Sequence, residues 1–66
     1  MNSYIKSLAR DYLKVIDQIS HGYFSNSAEL HALESERSIL HAQLEAAIKR
    51  RIKKEDIPDY ARKIIK

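Results

Sequence analysis

Cysteine is absent from the 66-residue chain, so neither a disulfide framework nor a thiolate metal site can hold it together. Glycine and proline occur once each, at Gly22 and Pro58, which leaves few places where regular backbone must break. No apolar run approaches the ~18 residues of a membrane span, so a soluble chain is expected. The opening NSYIKSLARDY has no basic n-region, no continuous apolar core and no cleavage site. It does not read as a secretory leader, and a reduced cytoplasm is the expected compartment. Missing too are a G-x-S-x-G turn, a phosphate-cradling glycine loop and a cysteine nucleophile, while Ser20, Ser25 and Ser27 suit turns and caps. Neither catalysis, nor a cofactor, nor a small-molecule substrate is expected.

What remains is helical period. Ser3 is a plausible N-cap for a first helix over residues 3–21, with Gly22 as its left-handed terminator. Ile5, Leu8, Tyr12, Val15 and Ile19 recur at spacings of three, four, three and four, with Ala9 and Ile16 beside them and Lys6, Arg10, Lys14 and Asp17 opposite. That is one broad apolar face. The turn at 22–26 follows, and Asn26 with Glu29 three residues on has the form of a capping box.

A second helix is expected over residues 27–54, roughly 40 Å long at 1.5 Å per residue. Its apolar side chains divide into two seams. Leu30, Leu33, Leu40, Leu44, Ala47 and Ile48 make a bulky one; Ala28, Ala32, Ser35, Ile39, Ala42 and Ala46 make a second, of mostly small residues, on nearly the opposite side. The short turn makes the first two helices an antiparallel hairpin, whose first helix covers the bulky seam. A third, short helix is expected over 57–65, with Asp56 as cap, Pro58 in its first turn and a stripe of Ile57, Tyr60, Ala61, Ile64 and Ile65. The class is therefore all-α, in a single domain.

A chain this small is marginal by itself and is commonly completed by a partner subunit. Small side chains let another helix approach closely. The expected assembly is accordingly an antiparallel homodimer with a four-helix core, joined through Ala28, Ala32, Ser35, Ile39, Ala42 and Ala46. The competing arrangement folds the third segment back over that seam within one chain.

Charge is unevenly distributed behind the net +3. Residues 1–48 carry four basic and six acidic side chains, whereas 49–66 carry eight basic and three acidic. The hexapeptide KRRIKK concentrates Lys49, Arg50, Arg51, Lys53 and Lys54. Such cations release counterions from a nucleic acid, but they also offset the dipole at a helix C-terminus and keep it solvated. No aromatic is interleaved among them, and a compact helix-turn-helix pair is shorter than these helices. The cluster is thus expected to dock another protein, with nucleic acid as the alternative partner. Tyr23 and Phe24 at the hairpin tip are candidate anchors for that partner.

His21, His31 and His41 are evenly spaced, yet His31 and His41 point about 80° apart on a helix and do not converge on a metal. Arg37, between Leu33 and Leu40, must snorkel or meet a carboxylate such as Asp17 or Glu36.

The stretch AELHALESERSIL after a glycine turn resembles the small two-helix sporulation-phosphatase regulators that dock on a response regulator. LESER stands where that family has its Ser-Gln-Glu-Leu-Asp core, so the activity does not carry over. In size, basic tail and cysteine-free helical character the whole chain is similar to small helical early-region proteins of lambdoid phages. That resemblance implies a phage or bacterial modulator of a host process. The expectation is a non-enzymatic regulatory protein that dimerises and binds a protein partner; the alternatives are a nucleic-acid-binding accessory protein and a purely structural assembly subunit.

Overall fold

The apolar residues of the first segment span an arc of about 160° at 100° per residue, wider than the ~100° stripe one packed neighbour requires. The computed structural model describes residues 3–66 and shows how that width is used. Helix α1 spans Ser3–Ser20, α2 Ser27–Ile48 and α3 Ile57–Ile65, with no strand among the described residues. α1 packs against both other helices, while α2 and α3 barely touch. The first helix is therefore the central element, shared between two neighbours, where the sequence pattern assigned its whole face to α2.

The core follows from this sharing. Leu8, Ala9, Tyr12 and Val15 of α1, Leu40 and Leu44 of α2, and Ile57, Ala61 and Ile64 of α3 are buried in one cluster. Leu33 and Ala47 of the bulky α2 seam pack on it half-buried. None of the described helices is long and apolar enough to cross a membrane.

The hairpin turn is built as its residues dictate. Tyr23 N–H bonds the Gln18 carbonyl at 2.9 Å and Gly22 N–H bonds that of Ile19 at 3.3 Å. This is the Schellman pattern, and Gly22 holds the left-handed φ of 69° that it requires. Asn26 then caps α2, its side-chain oxygen accepting from Glu29 N–H at 3.0 Å. The Glu29 carboxylate accepts from Ser25 N–H at 2.8 Å, one residue before the position a standard capping box uses. Asp56 stands at the N-cap of α3 but makes no side-chain capping bond.

The largest departure from expectation is the end of α2. Continuous helix was expected to residue 54, but α2 stops at Ile48 and residues 49–56 are irregular. Arg50 N–H bonds Glu45 O at 3.1 Å and Lys49 N–H bonds Ala46 O at 3.3 Å, repeating the Schellman pattern of α1. Here the left-handed residue is Lys49, at φ 57°. Nothing local demands a stop, since lysine is a poor left-handed terminator. The stop is tertiary: the chain must turn for Ile52 and Ile57 to reach the core against α1. Lys49→Gly should therefore stabilise the protein by about 0.5–1 kcal/mol, relief of left-handed strain less the lost cation at a helix end. A thermal melt followed by circular dichroism should show a rise of several degrees.

Candidate functional site

With α1 and α3 both in place, the small-residue side of α2 stays open. Ala28, Ala32, Ser35, Ile39, Ala42 and Ala46 are all exposed, and Ile39 retains 56% of its accessible surface. α3 does not fold over this seam; it packs on α1. The bulky seam, by contrast, is turned inward, as Leu40 and Leu44 show.

The cationic residues do not extend a helix. Lys49, Arg50, Arg51, Lys53 and Lys54 are all exposed on the irregular segment between α2 and α3. Its shape comes from a clamp at Ile52. The Ile52 N–H donates to the Glu45 carboxylate at 2.8 Å, and His41 Nε2–H donates to the Ile52 carbonyl at 2.8 Å. His41 and Glu45 lie one turn apart on α2, their side chains 3.5 Å from one another. Both polar groups of one residue are thus held from a rigid helix. The Ile52 side chain packs on the core while Arg51 and Lys53 on either side face solvent.

That segment and α3 together form a groove of about 430 Å³. Arg50, Arg51 and Lys53 line one wall, and Tyr60 and Lys63 contribute from α3. Asp56 and Asp59 also line it, Asp59 being paired with Arg62 at 3.0 Å. Tyr60 belongs to the apolar stripe of α3 and packs half-buried on the core, and the turn after Ile48 brings the cationic segment to the groove that it also lines. The i,i+4 spacing of His41 and Glu45 places them on one face of α2. The atom they hold was not legible, because it belongs to a segment expected to be helical.

At the hairpin tip Tyr23 is 65% exposed and stacks on His21, with ring centroids 5.4 Å apart. Phe24 is half-buried, so only Tyr23 is freely presented. His21 Nδ1–H points at Asp17, 2.9 Å from its carbonyl and 3.2 Å from its carboxylate. Among the described residues no group of three or more His, Asp or Glu converges as a metal site.

The chain matches no family model, and comparison with curated proteins and with solved structures finds no match.

Arg37 finds neither Asp17 nor Glu36; no carboxylate lies within ion-pair distance of it among the described residues. It lines a surface groove with Tyr12, Ile16, Lys54 and Glu55. Burial raises the Tyr12 phenol above its ordinary pKa of 10.0, and the nearby Arg37 guanidinium opposes part of that rise. The folded chain therefore keeps a proton that the unfolded chain gives up near pH 10. This contribution to stability is complete below the ordinary tyrosine value and is lost as the pH climbs through the raised one. Urea midpoints measured across alkaline pH should fall more steeply for the native sequence than for Tyr12→Phe, in which the lysines still titrate but this phenol does not.

Proposed function

We propose that the protein is a non-enzymatic interaction module that pairs with a second copy of itself along α2 and binds another macromolecule at its cationic end. The supporting observation is the α2 face that stays exposed once α1 has packed on α2 and α3. Its six positions are spaced four, three, four, three and four residues apart, a pattern that reads identically in both directions. A two-fold axis crossing α2 near residue 37 then sets Ala28 against the partner's Ala46, Ala32 against the partner's Ala42, and Ser35 against the partner's Ile39. Alanine and serine allow close approach of the two helices, and Ile39 supplies bulk on either side of the axis.

Charge favours the antiparallel sense. Glu29, Glu34 and Glu36 lie in the first half of α2, while Lys49, Arg50 and Arg51 follow its end. Antiparallel pairing brings each acidic half toward the partner's basic end and opposes the two helix dipoles favourably. A parallel pair would set like ends together. The product is a bundle in which two α2 helices form the middle layer and each α1, carrying α3, forms an outer one. Sedimentation equilibrium at tens of micromolar should give twice the chain mass; a monomer at that concentration would sink the reading.

A further inference from the structure

The groove between the clamped segment and α3 carries more information than its net charge. We infer that it binds single-stranded nucleic acid, with the phosphodiester backbone along Arg51, Lys53 and their neighbours and a base against the Tyr60 ring. This deepens the proposed function by naming the partner at the cationic end, and it does not require self-association.

Three features select that ligand. The first is spacing. Residues 51–53 are non-helical, with Ile52 turned in and Arg51 and Lys53 turned out. Two residues along the chain, their backbone positions are at most about 7 Å apart, within the scale of successive phosphates along one strand. The second is rigidity. Two hydrogen bonds of 2.8 Å fix Ile52 between these cations, so they sit on preorganised backbone and not on a loose tail. The third is the ring. Tyr60 lines the same groove as Arg50, Arg51, Lys53 and Lys63, and an aromatic beside a row of cations is the arrangement that holds unpaired bases without regard to sequence. A duplex hides its base faces and asks for an element that enters a groove, whereas these cations lie off the end of α2. Asp56 and Asp59 reduce the field, but the lining remains cationic by four charges to two.

The test is fluorescence anisotropy of a labelled single-stranded oligonucleotide of mixed sequence, titrated with the full chain over a range of salt. Four phosphate contacts predict a slope of log affinity against log salt of about −3, at ~0.7 per contact. Arg51→Ala with Lys53→Ala should halve that slope. Tyr60→Leu should weaken binding about tenfold with the slope unchanged, and Tyr60→Phe should retain it. Thermal melts confirm that each variant is folded. Absence of binding at low salt, tighter binding of the matched duplex, equal competition by polyglutamate of the same charge, or an unaffected Tyr60→Leu would each overturn the inference. Sedimentation of the same samples reads self-association separately, so a monomer that still binds the strand sinks the α2 pairing alone.

Discussion

Ala42→Glu should abolish the proposed self-association while leaving each chain folded. Ala42 is exposed in the single chain, so the new carboxylate meets water there and substitutes one good helix former for another. In the proposed two-fold arrangement the same position would face the partner's Ala32 across a closely spaced contact. A carboxylate there has no cation to meet, and an uncompensated buried charge costs about 3–5 kcal/mol. Symmetry introduces it twice. At about 1.4 kcal/mol for each factor of ten, self-affinity should fall by at least two orders of magnitude. Sedimentation equilibrium measures the loss, and an unchanged far-ultraviolet spectrum at low concentration shows that the fold survives. Ala42→Ser, small and uncharged, is the control and should remain dimeric. If Ala42→Glu sediments like the native chain, the open face of α2 is not where the copies meet.

How much of this was legible from residues alone depends on which kind of signal set each feature. The ends of α1 and α3 carry local markers: Gly22 takes the left-handed turn and Pro58 sits in a first turn, and both helices have apolar stripes that begin and end with them. The Asn26 cap is likewise a two-residue pattern that the backbone honours. The end of α2 has no such marker. Lys49 adopts the conformation usually given to glycine because the rest of the chain must reach α1, and helix propensity over residues 49–54 pointed the other way. One sign was present: Ile52 is an apolar residue stranded among cations, and an isoleucine that must be buried asks the backbone around it to bend.

The site divides in the same manner. The exposed seam of α2 follows from composition and period, since five of its six residues are alanine or serine and only Ile39 has bulk to bury. The groove does not, because Tyr60 and Arg51 meet only through a turn that no local rule announces. The apolar arc of α1 exceeds the needs of one neighbour, and α3 docks on that surplus.

Because α1 is shared, the strongest test of the architecture is at α3. Ile57 is fully buried at the start of that helix, with no accessible surface remaining. Ile57→Ala removes three methyl or methylene groups from a filled core, a change that costs about 2–5 kcal/mol. A helical domain of this size rests on a total of only ~3–5 kcal/mol, so the variant should be largely unfolded at room temperature or close to its midpoint. Nine residues of α3 cannot hold helix alone, and without α3 the α1 residues shared with it lose cover on one side. The unfolding should therefore remain a single transition: the urea midpoint falls steeply while its slope, which tracks the surface exposed, stays as in the native chain. Ile65→Ala, at the half-buried far end of the same helix, should shift the midpoint much less. A variant that instead kept most of its helicity and lost slope would mean that α3 peels away as a separate unit. The cluster joining Leu8, Tyr12, Leu44 and Ile57 would then be two contacts and not one core, and the groove beside Tyr60 would open independently of the hairpin.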